Sequence, residues 1–275
     1  MCARSVDHRS LRIDWIHFLL VYTAHAPVHN ELTVPWHFVF ESLAYFVAFR
    51  LYLLERRKAG DFLNASTRWT VVVAAIGGAA IGSKVLFWFE DPTRTFEHWN
   101  SLEYLLSGKT IVGAILGGTI AVEWIKRRAG VTRRTGDLFA VPMAIGIAIG
   151  RIGCFLAGVS DDTHGIATAL PWGLDLGDGV RRHPVQLYES AAMILLALVL
   201  SRISPPRFAE GDRFRVFMLG YFGWRLLVDF LKPGVRFGGL TVLQWCSVAA
   251  LLWYARDLRR MVLSHAVVKG ALANG

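Results

Sequence analysis

Seven long apolar stretches, at roughly residues 34–54, 70–89, 110–125, 138–159, 185–203, 214–231 and 239–255, run through a chain of 275 residues. Most approach the ~20 residues that a helix rising ~1.5 Å per residue needs to cross ~30 Å of hydrocarbon. Lipid offers no partner to a bare N–H or C=O, so runs of this length are helices. The ten-residue alternation of a β-barrel is absent. The sequence therefore predicts an all-α polytopic membrane protein with seven transmembrane helices. Hydrophobic residues make up 54% of the chain, which excludes disordered and fibrous classes. Cys2, Cys154 and Cys246 are odd in number and far apart, so they suggest neither a disulfide framework nor a CxxC metal site.

The net charge of +9 reads first as topology rather than as an affinity for nucleic acid. Basic clusters follow the first span (Arg56, Arg57, Lys58), the third (Lys126, Arg127, Arg128), the fifth (Arg202, Arg207, Arg213) and the last (Arg256, Arg259, Arg260). They outnumber the Lys and Arg of the opposite connections, which places the N-terminus outside and the C-terminus inside. The whole of 1–275 reads as one membrane domain. An outer interfacial segment occupies 1–33, a seven-helix core 34–255 and a cytoplasmic tail 256–275. Residues 11–27 are apolar but interrupted by Asp14, His17 and His25, which favours an interfacial helix over a signal peptide. Glycines recur along the spans, among them Gly78, Gly82, Gly113, Gly117 and Gly153, and are read as close helix packing.

Ionisable residues inside spans are expensive and need a reason. Glu41, Lys84, Arg151, Glu189, Arg225 and Asp229 all fall in the outer half of the predicted bilayer. His37 and Glu41 are four apart, Gln186 and Glu189 three, Arg225 and Asp229 four, so each pair shares a helix face. Structural ion pairs, Arg225 with Asp229 and Glu41 with Lys84, are one explanation. Arg151 has no acid one turn away, so its partner is another helix or a ligand. His183-Pro184 opens the fifth span, whose N-terminal N–H groups and positive dipole end suit an anion. The simplest ligand for such a cavity, open to the outer leaflet, is an anionic phospholipid headgroup, because a guanidinium fork donates two hydrogen bonds to phosphate. Nothing in the pattern calls for a metal or a cofactor.

Three segments resemble a known family. Gly150-Arg151-Ile152-Gly153-Cys154-Phe155-Leu156-Ala157-Gly158 is similar to the glycine–arginine signature of prolipoprotein diacylglyceryl transferases. Arg182-His183-Pro184-Val185-Gln186-Leu187-Tyr188-Glu189 resembles that family's His-Pro-x-Gln-Leu-Tyr-Glu segment, and Trp224-Arg225-Leu226-Leu227-Val228-Asp229-Phe230 its Arg-x-x-x-Glu-Phe segment. The resemblance implies an enzyme of the inner membrane, facing the outer leaflet. It would move the diacylglyceryl group of phosphatidylglycerol to the lipobox cysteine thiol of exported prolipoproteins. Arg151 and Arg225 would hold the phosphate. His183, Gln186, Tyr188 and Glu189 would shape the headgroup site, and Gly158 falls on a family position; Lys84, Glu41, His37 and Asp229, placed in the same cavity by their position along the spans, would line it.

The chain also departs from the family. Val112 stands where the family has a histidine, Cys154 where the signature has asparagine, Val159 where a glutamate follows it, and His37 near the aromatic of the first span. Transfer needs a thiolate, and the candidates to take its proton are His183 first and His37 second; alternatively, arginine electrostatics alone suffice. Two other classes fit the same residues: a non-catalytic binder or transporter of anionic phospholipid, and a lipid transferase with another acceptor. Cys154 reads as a small buried apolar side chain rather than a nucleophile. Asp161-Asp162-Thr163-His164 reads as a solvated turn rather than a metal site. Asp175-Leu176-Gly177-Asp178-Gly179 reads as the hairpin turn of a small extracytoplasmic arm.

Overall fold

The computed structural model describes residues 35–60, 63–161, 163–203 and 209–273. The expected interfacial segment 1–33 and Asp162 of the acidic turn lie outside the described residues. A long helix covers each apolar stretch. In chain order the helices are α1 (Trp36–Ala59), α2 (Ala65–Glu90), the short α3 (Pro92–Glu97) and α4 (Leu102–Ser107), α5 (Ile111–Arg128), α6 (Asp137–Leu156), α7 (Val185–Ser201), α8 (Asp212–Val228) and α9 (Val242–Ala273). Three of them, α1, α2 and α6, are long and apolar enough to cross a membrane, and α7 is a shorter apolar helix. α5, of 18 residues, carries Lys126, Arg127 and Arg128 at its end, and α8, of 17, carries Asp212, Arg213 and Arg215 at its start.

The helix starts are written in the sequence. Asn64, Asp91, Ser101 and Thr110 each accept a hydrogen bond from the backbone N–H three residues on. Each satisfies one of the orphan donors of a first turn. At the start of α9, Thr241 Oγ1 accepts from the Gln244 N–H at 3.1 Å, while Gln244 Oε1 accepts from the Thr241 N–H at 2.9 Å. This is a reciprocal capping box.

Packing follows the glycines. α2 lies against α5 along Gly78 and Gly82 on one side and Gly113 and Gly117 on the other. A methyl group at any of the four would collide with a facing backbone carbonyl. α1 lies against α6, where Gly153 leaves room for the Phe40 side chain. α6, α7, α8 and α9 complete the bundle around Ala140, Ala144, Ala148, Met193, Phe217 and Phe222. The outer flanks remain apolar and bare: Phe38, Phe46, Phe49, Ile76, Ile81 and Trp253 are all exposed. Such a belt is stable in hydrocarbon and costly in water, so the chain is a membrane protein.

Antiparallel packing gathers one set of helix ends. The starts of α1, α5, α7 and α9 meet the ends of α2, α6 and α8, as the contacts of His37 with Cys154 and of Arg225 with Glu189 require. A small arm projects there. β1 (Leu174–Asp175) pairs antiparallel with β2 (Arg181–Arg182), with Leu174 opposite Arg182. The connecting turn is held by Asp175 Oδ1, which accepts from the backbone N–H groups of Gly177, Asp178 and Gly179. The Arg182 guanidinium beside Asp178 holds that exposed carboxyl below the usual carboxylate range.

Candidate active site

Glu189 is the centre of a buried ionic cluster. It sits one turn into α7, whose start is fixed by Pro184 at the N-cap. Its Oε1 accepts from Arg225 Nη1 at 2.6 Å, and its Oε2 lies 3.0 Å from Arg151 Nε and accepts from Lys232 Nζ at 3.0 Å. Arg225 Nη2 reaches Asp229 at 2.9 Å, so the expected one-turn pair exists. Arg151, near the end of α6, finds its partner on another helix. All five groups are at most 8% exposed. Three cations thus surround two carboxylates, with Glu90, at the end of α2, close enough to interact with Arg151, Arg225, Asp229 and Lys232.

Around this cluster several buried polar atoms have no hydrogen-bond partner among the described residues. They include both amide atoms of Gln186, the hydroxyls of Tyr188 and Tyr221, Trp224 Nε1, Arg225 Nε and His183 Nδ1. Buried polar groups are normally paired, since leaving one bare costs ~1–3 kcal/mol. Unpaired buried donors beside three buried cations are the complement of an oxygen-rich anion.

A second polar chain leads away from Arg151. Its Nη1 approaches Cys154 Sγ at 3.9 Å, and that sulfur lies 3.9 Å from His37 Nδ1. The other ring nitrogen of His37 lies 3.6 Å from Glu41. Glu41 is the acceptor for Lys109 and, at 3.2 Å, for the Tyr45 hydroxyl. The pairing of Glu41 with Lys84 considered from sequence is therefore not the one formed. Lys84 instead donates to the carbonyls of Leu106, Ser107 and Gly108, closing the end of α4, where a cation suits the helix dipole. Gly158 takes φ +70°, a left-handed turn out of α6, and a Cβ there would sit 2.9 Å from the Leu176 carbonyl of the arm. Val112 is 1% exposed and belongs to the apolar core, so α5 presents no titratable group at that position.

The structure thus brings Arg151, Arg225, Glu189 and Asp229 into direct ionic contact and leaves Gln186, Tyr188 and His183 with unpaired buried atoms. His37 and Glu41 reach Arg151 through Cys154, whereas Lys84 is engaged elsewhere. Sequence reasoning missed three groups. Lys232 counts there as loop charge, although it lies three residues beyond Asp229 and beside Pro233. Tyr221 is one turn before Arg225 on the same face, a signal available from spacing alone. Glu90 borders the Asp91-Pro92 helix start and carries no such signal.

The chain matches the family model described as prolipoprotein diacylglyceryl transferase over residues 27–255. It belongs to that family. Among its relatives is the phosphatidylglycerol–prolipoprotein diacylglyceryl transferase of Methylococcus capsulatus, 31% identical over 270 residues and covering 89% of this chain and 96% of that one. The protein of the same name from Bordetella parapertussis is 28% identical over 248 residues, covering 81% and 89%. The one from Clostridium tetani is 29% identical over 206 residues, covering 72% and 81%. Arg151, Glu189 and Arg225 all lie within the region matched to the transferase family.

Proposed function

We propose that this chain transfers the diacylglyceryl group of phosphatidylglycerol to the lipobox cysteine thiol of prolipoproteins. The observation that carries the reading is the convergence of Arg151 and Arg225, from two helices, on the two oxygens of one buried carboxylate. Two guanidiniums spaced to grip a carboxylate are spaced to grip the oxygens of a phosphodiester.

In this reading the long helices make seven spans, with the N-terminus outside and the C-terminus inside. The ionic cluster then faces the outer leaflet of a bacterial inner membrane, where both substrates are present, and 1–275 works as one membrane domain. Arg151 and Arg225 hold the phosphate. The acceptor thiolate attacks the glycerol carbon, the carbon–oxygen bond to phosphate breaks, and the leaving glycerol phosphate gains a charge that the guanidiniums are already placed to meet. Gln186, Tyr188 and His183 supply donors to the headgroup. Glu189 and Asp229 hold the arginines in register while the phosphate is absent, and Glu41, His37, Lys84 and Gly158 shape the rim towards the arm.

Separate Arg151→Ala, Arg225→Ala and His183→Ala variants, assayed for lipidation of a lipobox peptide in phosphatidylglycerol vesicles, test this reading. Loss of ~10²-fold or more is expected for each arginine, with a smaller loss for His183. Wild-type rates in all three at equal folded amounts would overturn it. Rescue of a cell lacking its own prolipoprotein transferase separates this activity from lipid binding without transfer and from transfer to another acceptor.

A further inference from the structure

Val112 is sealed in the core, so this stretch of α5 offers no base, and the proton of the acceptor thiol must go to a group on another element. We propose that His37 takes it, with Glu41 as its orienting carboxylate and the Cys154 sulfur marking the place the acceptor sulfur occupies. The inference rests on the transferase reading above and assigns one residue within it.

Three contacts in series support it. Glu41 faces one ring nitrogen of His37, Nε2, at 3.6 Å, which favours the proton there and leaves Nδ1 as the basic lone pair. Glu41 is itself fixed by Lys109 from the loop before α5 and by Tyr45 one turn along α1. Nδ1 faces Cys154 Sγ at 3.9 Å, and the same sulfur faces Arg151 Nη1 at 3.9 Å. A thiol between an imidazole and a guanidinium is the surrounding that favours a thiolate. Both contacts are near the long limit for sulfur, so neither His37 nor Arg151 is committed to a strong bond with Cys154. His37 is also more than a third exposed at its side chain, near the start of α1, where an acceptor can reach it. Glu41 on its own helix, Cys154 and Arg151 on α6, and Lys109 behind Glu41 are among the charged and titratable groups around it. His183, by contrast, has a buried Nδ1 with no hydrogen-bond partner among the described residues and lies edge-on to Tyr188, which suits the headgroup wall.

The step balances. The acceptor S–H gives its proton to His37 Nδ1, and the imidazolium is stabilised by Glu41. The thiolate electron pair forms the new sulfur–carbon bond while the carbon–oxygen pair leaves with the phosphate. The imidazolium then returns its proton to the departing phosphate or to water, and His37 is neutral again.

The test compares His37→Asn, Glu41→Gln and Cys154→Ala with wild type, measuring both transfer to a lipobox peptide across pH and binding of phosphatidylglycerol. His37→Asn is expected to lose ~10²–10³-fold in rate, far more than it loses in phosphatidylglycerol binding, and to lose the acid limb of the kcat/KM profile. A peptide carrying selenocysteine, whose selenol is already ionised, is expected to recover most of that rate. Glu41→Gln should shift the same limb and slow transfer by about tenfold. Cys154→Ala, which removes the sulfur standing between His37 and Arg151, should slow transfer less than His37→Asn. If His37→Asn stays within threefold of wild type while Arg151→Ala is inactive, the assignment of His37 fails and the transferase reading stands. If Arg151→Ala is also unaffected, the site itself is wrong.

Discussion

Glu189 carries more of the site than any other residue, because one carboxylate answers three cations. Removing one partner of a buried ionic group leaves the others uncompensated, a loss of ~3–5 kcal/mol. Glu189→Gln keeps the shape and removes the charge. It is expected to lower the thermal unfolding midpoint in detergent clearly, with added phosphatidylglycerol restoring part of the difference as its phosphate takes over as counter-ion. An unchanged midpoint would mean the cluster is held by packing alone. Arg151→Lys asks a different question. A lysine keeps the charge but not the planar fork that faces both Glu189 and Cys154. It is expected to fold normally and to lose transfer by ~10²-fold, read in the vesicle assay.

At the scale of elements, the α2–α5 pair and the α9 start make separate demands. Gly82 and Gly113 face each other's carbonyls, so a side chain on either must push the helices apart. Gly113→Val is expected to cost ~1–3 kcal/mol by overpacking, measured as a lowered unfolding midpoint. It should also slow transfer, because α2 delivers Glu90 and α5 follows Lys109 into the same end of the bundle. Thr241→Ala removes half of the capping box and should cost ~1 kcal/mol; circular dichroism melts would register it. These elements also mark how far the sequence could be read. Length and apolarity alone placed every long helix, and the spacing of Arg225 and Asp229 foretold their pair. The small helices α3 and α4 were not legible, since each spans only six residues and rests on a single cap, Asp91 or Ser101. The Glu41–Lys109 pair was hidden for a different reason. Lys84 and Lys109 are equally plausible partners in one dimension, and the choice is made by the end of α4, whose carbonyls claim Lys84 first.

The whole molecule has two chemically different ends, and the proposed function requires them to lie on opposite sides of a membrane. One end holds the buried ionic cluster and the arm. The other is tied by Asp137, which accepts from the backbone N–H groups of Gly211 and Phe214, by Arg213 with Glu55, and by Arg215 with Asp212 and Asp257. That second end also carries Arg56, Arg57, Lys58, Arg127 and Arg128, an excess of positive charge that resists translocation and suits the anionic inner leaflet. The sided arrangement can be read in intact cells with single cysteines at Asp178 in the arm and at Arg133 beyond α5, in a background with Cys2, Cys154 and Cys246 replaced by alanine. Asp178→Cys is expected to react with a membrane-impermeant maleimide added outside, and Arg133→Cys only after the membrane is opened. The reverse pattern would put the arginine cluster in the inner leaflet. Exported acceptors could not meet it there, so the transferase reading would fall even with the fold intact.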